Sequence, residues 1–249
     1  MELFYRLKNI PKEHKSLLES LIRVQKEIDG PFQVYTYTVK LPKNARHTED
    51  EVYARHPILL QTLPRACSIF YHQPSDTLYP LEGPKKFSGR STVDEDDETE
   101  TELGIYNHNR ILEWASSKVL EIQDTEKKNG KFAILRVCRI GNTPYLFAGS
   151  KNNHVVIPVH HFETVVEKYR NQELLYGILQ ECYSIYKELC HPWIQSQFDQ
   201  GWSLCGEFCD GQHFTEGDNH IYWFGMFRKL IMVYYWVVSI NLLWLLFSP

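Results

Sequence analysis

The segment TEKKNG, residues 125–130, lies between two stretches that are predicted to be β-strands, residues 119–122 and 132–139. It places the amine of Lys127 at the mouth of a sheet, and Gly130 lets the backbone approach a ligand closely. An ordinary lysine has a pKa of about 10.4 and is almost entirely protonated at neutral pH. Nearby cations and burial lower that value, so a nucleophilic Lys127 requires such surroundings. Taken alone, the same pattern also fits an exposed, lysine-rich hairpin turn.

The rest of the sequence alternates between strand and helix patterns. Apolar side chains recur at helical spacing over residues 13–26, 110–118 and 174–189. Alternating or β-branched stretches predict strands at residues 32–39, 66–71, 78–81, 132–139, 145–148, 202–208 and 221–227. Turn residues at positions 73–76 and at Gly141-Asn142 predict hairpins. Strands joined by hairpins, with interspersed helices, predict an α+β fold with mainly antiparallel sheets.

Length and composition indicate a globular protein with a sizeable core. The chain has 249 residues, of which 43% are apolar, and a net charge of −4 at pH 7. Binding to nucleic acid would therefore require a local basic cleft. Seven acidic residues between positions 91 and 102 predict a solvated loop. We expect an N-terminal lobe, an acidic flexible loop, a core and an apolar tail, at residues 1–90, 91–104, 105–228 and 229–249.

The tail is the compositional anomaly of the chain. Residues 230–247 carry no charge and follow Arg228 and Lys229. An apolar stretch of about 18 residues reaches the lower limit for crossing a bilayer as a helix, and cations before it are typical of the cytoplasmic side. The segment is therefore either a tail anchor or a truncated or alternatively spliced end. The six cysteines are interpreted as reduced thiols. We expect a cytoplasmic or nuclear protein, anchored to a membrane if the tail is genuine.

Three further residues stand in a fixed order after Lys127. Lys151 follows a predicted strand that ends in small residues. Glu207 interrupts an apolar strand, and a carboxylate there needs a partner such as a ribose hydroxyl or a metal-bound water. Phe224 belongs to the aromatic run at residues 221–225, which offers a face to a purine ring. Each residue also has an ordinary interpretation: a surface charge, a salt bridge and a core side chain, respectively.

This set of motifs resembles the covalent nucleotidyltransferases, which are ATP-dependent DNA and RNA ligases and GTP-dependent mRNA capping enzymes. In that superfamily the nucleophile lies in Lys-x-Asp/Asn-Gly, often after Thr-Glu, as at residues 125–130. A later strand carries a Gly-Glu-Phe glutamate, and an aromatic residue of a following strand stacks on the base. The resemblance implies that Lys127 is the nucleophile and that Glu207 faces the ribose or a metal. It implies that Phe224 stacks on the base and that Lys151 is the basic residue ending the intermediate strand.

The region before the acidic run is most similar to the bacteriophage tRNA-repair RNA ligases. In that group an arginine before a hydrophobic strand and a lysine before Phe-Phe-Asn touch the outer phosphates of ATP, and by position these are Arg65 and Lys86. The pattern departs where Arg65 is followed by Ala66 instead of glycine, and where Ser88-Gly89 follows Phe87. The nucleotide-binding residues that the resemblance implies are Arg65, Lys86, Glu126, Asn129, Gly130, Lys151, Glu207 and Phe224, with Glu207 also a metal ligand.

The resemblance implies an adenylation fold, in which antiparallel sheets flank a nucleotide cleft, and an RNA ligase that uses ATP and Mg²⁺. Lys127 would attack the α-phosphate of ATP and form lysyl-AMP. The AMP would pass to a 5′-phosphate end of RNA, and a 3′-hydroxyl would displace it to seal the strand. Arg65, Lys86 and Lys151 would neutralise the triphosphate and stabilise the leaving pyrophosphate. The expected partners are RNA ends, tRNA among them, and the expected oligomeric state is a monomer.

The family also uses two later strands, one with Glu-Gly before a basic residue and one with Lys-x-Lys. After Phe227 the chain has Arg228, Lys229 and the apolar tail. We therefore expect a C-terminally incomplete core, whose activity would fall about 10²-fold or more for each lost α-phosphate contact. Two alternatives stay open. The chain is a weak or inactive nucleotide- or RNA-binding variant, tethered to a membrane or not, or it is a DNA ligase or capping guanylyltransferase.

Overall fold

The computed structural model describes residues 1–41, 48–86, 130–188, 192–210 and 220–227 of the chain. Two antiparallel sheets and several helices account for most of these residues, which confirms the predicted α+β class. The chain divides into two compact units. The first consists of the described residues within Met1–Arg23, Val39–Pro64 and Lys85–Lys127, and the second of those within Val24–Thr38, Arg65–Pro84 and Lys128–Pro249.

The first unit is built from short helices. These are α1 (Glu2–Lys8), α2 (Lys12–Leu21), α3 (Glu49–Arg55) and α4 (Pro57–Thr62). Thr48 caps α3, because its side chain accepts a hydrogen bond from the backbone N–H of Glu51 and so satisfies one of the unpaired donors at the helix start. The hydroxyl of Tyr53 donates to the carbonyl oxygen of Leu63 at 3.3 Å and thereby ties α3 to the end of α4.

The helix predicted over residues 13–26 is wrong in its second half. Helix α2 ends at Leu21, and strand β1 (Ile22–Asp29) begins at the next residue. The apolar residues up to Val24 fit a helical period, but Ile22 and Val24 are β-branched and also alternate. Pairing of β1 with β2 (Phe32–Val39), across a turn with Gly30 at φ 56°, satisfies the backbone and decides the conformation.

The first sheet of the second unit has the strand order β1-β2-β3-β4. Its hairpin of β3 (Cys67–His72) and β4 (Thr77–Leu81) confirms the predicted strand-turn-strand segment. The turn ends at Asp76, which adopts a left-handed conformation at φ 47°, as aspartate tolerates better than most residues.

The second sheet has the order β7-β6-β5-β8-β9 and carries most of the candidate residues. Its strands are β5 (Lys131–Ile140), β6 (Thr143–Ser150), β7 (His154–Pro158), β8 (Ser203–Cys209) and β9 (His220–Phe227). Gly141 at φ 59° forms the predicted tight turn between β5 and β6. Strand β7 was not predicted, because its five residues form a short apolar run without alternation.

The two faces of this second sheet are both buried. On one face, Ala133, Leu135 and Val137 of β5 pack in a core with α5 (Phe162–Val166), α6 (Glu173–Glu188) and α7 (Pro192–Asp199). The other face packs against the first sheet, and we call it the inner face. Its core residues are Phe132, Ile134, Cys138, Phe147, Val156, Cys205 and Phe227, which meet Phe32, Val34, Ala66, Phe70 and Leu81.

Several predicted features lie outside the described residues. They are Glu126, Lys127 and Asn129, the helix at 110–118, the strand at 119–122, the acidic loop at 91–104 and the tail at 230–247. Within the parts of the chain that the structure describes, the helices are all too short or too polar to span a bilayer.

Candidate functional site

A row of side chains crosses the inner face of the second sheet. The ladder between β5 and β8 pairs Phe132 with Glu207, and the ladder between β8 and β9 pairs Glu207 with Tyr222. Directly paired residues point to the same side of a sheet, and neighbouring strands lie about 4.8 Å apart. Because Phe132 belongs to the inner core, the other two side chains share its face.

Lys151 lies in the turn after β6. The ladder between β5 and β6 ends where Ala133 pairs with Ser150, and the backbone N–H of Ser150 donates to the carbonyl oxygen of Asn153 within that turn. Lys151 is half-buried and follows Ser150 directly. The structure therefore places Lys151 at the end of β6, whereas the strand register places Glu207 beside Phe132.

Arg65 covers the ring of Phe132. The guanidinium carbon lies 4.9 Å from the ring centroid, within the range of a cation–π contact. The Nε atom of Arg65 is buried and has no hydrogen-bond partner among the described residues. Burial raises the pKa of the Cys205 thiol, and the positive charge of Arg65 acts in the opposite direction. The positive charge of Arg65 therefore lies close enough to Cys205, a residue of the inner face, to influence its thiol.

A β-bulge brings Phe224 close to Phe132. Cys205 pairs with Gly225 and Gly206 pairs with Trp223, so Phe224 is the extra residue of β9. Its ring lies 6.4 Å from that of Phe132 and 6.1 Å from that of Phe227, both of which are inner-face residues. Phe224 is nevertheless 36% exposed. One side of its ring contacts the inner core while the remainder is accessible.

Gly130 lies at the start of β5, immediately before the residue pair Lys131 and Phe208. A Cβ atom at position 130 would lie 2.5 Å from the carbonyl oxygen of Phe208 and 3.1 Å from the Sγ atom of Cys209. A side chain has no room there, so the last residue of TEKKNG is glycine for a steric reason. Phe132, the second residue of β5, follows this glycine by two positions.

Lys86 is placed differently from the other candidates. It belongs to the first unit, whereas Arg65, Lys151, Glu207 and Phe224 belong to the second. Its Nζ atom lies 2.8 Å from a carboxylate oxygen of Asp50. The structure therefore gives Lys86 an acidic partner within its own unit, an arrangement that the sequence reasoning did not anticipate.

A buried polar chain links the two sheets at another point of the inner face. Hydrogen bonds join Thr36 Oγ1 to Ser68 Oγ at 2.8 Å and Ser68 Oγ to His154 Nδ1 at 2.7 Å. The Nε2 atom of His154 is buried and has no hydrogen-bond partner among the described residues. Burial lowers the pKa of His154 to about 4, so the imidazole is neutral at physiological pH. This chain is a structural cross-link, because all three residues are inaccessible to a ligand.

Two residues of the site were missed by sequence reasoning. Phe132 was interpreted only as the first residue of a strand, and Tyr222 only as part of an aromatic run. The available signals were the position of Phe132 two residues after the lysine motif and the exposure of Tyr222, which is 37%. The described residues contain no group of three or more His, Cys, Asp or Glu side chains that could hold a metal.

Comparison of the chain with protein-family models, with curated proteins and with solved structures found no match.

Proposed function

We propose that this protein is an ATP-dependent nucleotidyltransferase of the RNA-ligase type, which binds ATP beside Phe132 and forms lysyl-AMP on Lys127. One observation carries the proposal. The guanidinium of Arg65 lies over Phe132, while the exposed ring of Phe224 and the carboxylate of Glu207 adjoin the same side chain. Aromatic, acidic and cationic side chains therefore lie close together, and these are the types of group that suit the base, the ribose and the phosphates of a nucleotide.

The base and ribose are assigned to the β8–β9 side of the site. The accessible part of the Phe224 ring suits stacking on a purine, which is worth about 1–3 kcal/mol per base. Glu207 suits the ribose, because a carboxylate accepts hydrogen bonds from hydroxyl groups. The exposed Tyr222, on the edge strand β9, pairs with Glu207 and lies at this end of the site.

The phosphates are assigned to the cationic side of the site. The half-buried guanidinium of Arg65 suits an anionic oxygen, because hydrogen bonds between charged groups are the stronger ones. Lys151, in the turn directly after β6, is a second cation for the triphosphate. Glu207 also fits Mg²⁺, which is usually bound through one or two carboxylates together with substrate phosphates. When bound, the metal ion neutralises phosphate charge.

The proposed reaction begins at Lys127. Its unprotonated amine attacks the α-phosphorus of ATP, a phosphorus–nitrogen bond forms, and the bond to the bridging oxygen of the leaving pyrophosphate breaks. The 5′-phosphate of an RNA end then takes the AMP from the lysine. A 3′-hydroxyl attacks that activated phosphate, releases AMP and joins the strand. Arg65 and Lys151 act in the first step, because they oppose the negative charge that accumulates on pyrophosphate.

The proposal is tested by incubating the full chain with Mg²⁺ and α-labelled ATP or GTP, and by denaturing it before detection. We expect acid-labile label from ATP that is absent in Lys127→Ala and present in the matched control Lys128→Ala. Label from GTP alone would indicate capping chemistry instead. Retained ATP binding without any label would indicate a nucleotide-binding protein that is not an enzyme. Label that persists in Lys127→Ala would contradict the assignment of the nucleophile.

A further inference from the structure

The position of Arg65 depends on a short buried segment, residues 82–84, which we call the strap. The backbone N–H of Arg65 donates to the carbonyl oxygen of Pro84 at 2.9 Å, and the backbone N–H of Gly83 donates to the carbonyl oxygen of Arg65 at 2.9 Å. Both backbone hydrogen-bonding groups of Arg65 are therefore satisfied by the strap. Glu82, Gly83 and Pro84 are all buried, so the strap is packed on both sides.

Gly83 lies against both members of the Arg65–Phe132 pair. A Cβ atom at position 83 would lie 2.8 Å from the carbonyl oxygen of Arg65 and 3.0 Å from the Cζ atom of Phe132. A real Cβ atom essentially never lies as close as 2.8 Å to another atom, and 3.0 Å is tighter than most real contacts. Any side chain at this position must therefore displace the backbone of Arg65, the ring of Phe132, or both.

Within the described residues, no carboxylate pairs with the guanidinium of Arg65. Its side chain contacts the face of Phe132, and the next residue, Ala66, turns the chain through a left-handed conformation at φ 51°. The geometry of the guanidinium is therefore set by the ring on one side and by the backbone bonds to the strap on the other. A change in the spacing of the strap would therefore act on both of these constraints.

We propose that Gly83 is a positioning residue, which holds the Arg65 guanidinium on the Phe132 ring and so sets the affinity of the site for the triphosphate. This inference rests on the proposed function for its ligand. Gly83 acts through Arg65 and does not itself touch the nucleotide. Replacing it with alanine should displace the guanidinium and weaken ATP binding about 10- to 100-fold, the range of one hydrogen bond to a charged group.

The first measurement follows the Nε–H proton of Arg65 by NMR, in the full chain without nucleotide. A proton held over an aromatic ring is shifted upfield by the ring current, and its signal is identified by its loss in Arg65→Lys. We expect Gly83→Ala to move this signal towards the position of an exposed arginine. The matched control is Gly177→Ala, whose Cβ would lie 2.6 Å from the Cζ atom of Phe208 on the opposite face of the sheet. It should leave the Arg65 signal unchanged.

The second measurement compares the affinity for Mg-ATP of the wild type, Gly83→Ala, Arg65→Ala and the double variant, by titration calorimetry. We expect Gly83→Ala to weaken binding in the wild type and to add nothing once Arg65 has been truncated. Insertion of one extra glycine after Gly83 lengthens the strap without crowding it, and it should have the same effects if Gly83→Ala does not fold.

An unmoved Arg65 signal in Gly83→Ala, or an equal loss of affinity with and without the Arg65 side chain, would overturn the proposal. A wild-type protein that binds no ATP refutes the proposed function, and it also overturns the part of the inference that concerns the triphosphate. The NMR signal still decides whether Gly83 positions Arg65, so the two failures are distinguishable.

Discussion

The rings of Phe132 and Phe224 lie 6.4 Å apart, although strand β8 separates the two strands that carry them. Strands that are two positions apart in a sheet lie about 9.6 Å from each other, so the two rings lean together across the inner face above β8. The bulge at Phe224 makes this approach possible, because it adds one residue to β9 opposite Cys205 and Gly206. Glu207, on the strand between them, is thereby flanked by aromatic surface.

The first prediction concerns Phe224. Because Phe224 is 36% exposed, Phe224→Ala should lower the free energy of unfolding by about 1–2 kcal/mol, less than the loss of a fully buried phenylalanine. It should nevertheless weaken ATP binding about tenfold or more, since one base–aromatic stack is worth about 1–3 kcal/mol. Titration calorimetry with Mg-ATP and urea unfolding measure the two effects. The control is Ile28→Ala, which removes a 73% exposed apolar side chain from β1 and should leave the affinity unchanged. Equal ATP affinity in Phe224→Ala and the wild type would exclude stacking at this ring.

The second prediction concerns the chemistry of the cation at position 65. Arg65→Lys keeps the charge but loses the planar guanidinium that lies on Phe132, so we expect ATP binding to weaken about tenfold. Arg139→Lys, at an exposed position of β5, is the matched control and should bind ATP as the wild type does. If the two variants bind ATP equally well, the planar contact with Phe132 has no part in recognition.

The third prediction concerns the backbone after Arg65. Ala66 is in the left-handed region, which costs an L-residue roughly 1–2 kcal/mol. Ala66→Gly relieves that cost, but it removes a buried methyl group and increases the conformational entropy of the unfolded chain. We therefore expect a change in unfolding free energy of less than about 0.5 kcal/mol. Ala133→Gly, in the middle of β5, relieves no backbone strain and should lower the free energy of unfolding by about 1.5 kcal/mol. Urea unfolding of both variants provides the measurement, and equal losses would contradict the strained geometry.

The fourth prediction concerns acid stability and His154. The folded-state pKa of His154 is lowered to about 4, whereas the unfolded chain has an ordinary value near 6.5. Between these pH values the unfolded state binds more protons, so stability rises with pH there and is lost as pH falls from 6.5 to 4. At about 1.36 kcal/mol per unit the loss is about 3 kcal/mol.

Urea unfolding between pH 4 and pH 7 measures this contribution of His154. His154→Gln should remove that part of the pH dependence, while His160→Gln, at an exposed position, should retain it. A pH profile that is the same in His154→Gln and the wild type would show that the histidine is not held neutral in the folded protein.

The sequence predicted the strands well where alternation and turn residues agreed. The segment around Gly141-Asn142 is an example, because a short turn with a positive φ joins two β-rich stretches. The failure at residues 22–26 has a physical cause. Ile22 and Val24 continue a helical period by chance, and only the pairing of β1 with β2 across the turn at Gly30 distinguishes the two conformations. Pairing between strands is not encoded in a local period.

The motifs propose Arg65, Lys151, Glu207 and Phe224 as site residues, but they do not indicate Phe132, which three of these residues adjoin: Arg65, Glu207 and Phe224. That grouping depends on the register of the two ladders of β8 and on the bulge at Phe224, which a local sequence pattern does not encode. The ion pair of Lys86 with Asp50 could not be predicted from the sequence either, because it joins two segments that are distant along the chain.

The most direct test of the central claim is to locate the AMP on the chain. The full-length protein is incubated with ATP and Mg²⁺, digested under neutral conditions, and sequenced by tandem mass spectrometry over residues 125–131. We predict AMP on Lys127 in the wild type and on neither neighbour, Lys128 or Lys131. We also predict a much lower yield in Arg65→Ala at limiting ATP. AMP on another lysine, or a yield in Arg65→Ala equal to that of the wild type, would contradict a nucleotide site centred on Phe132 and served by Lys127.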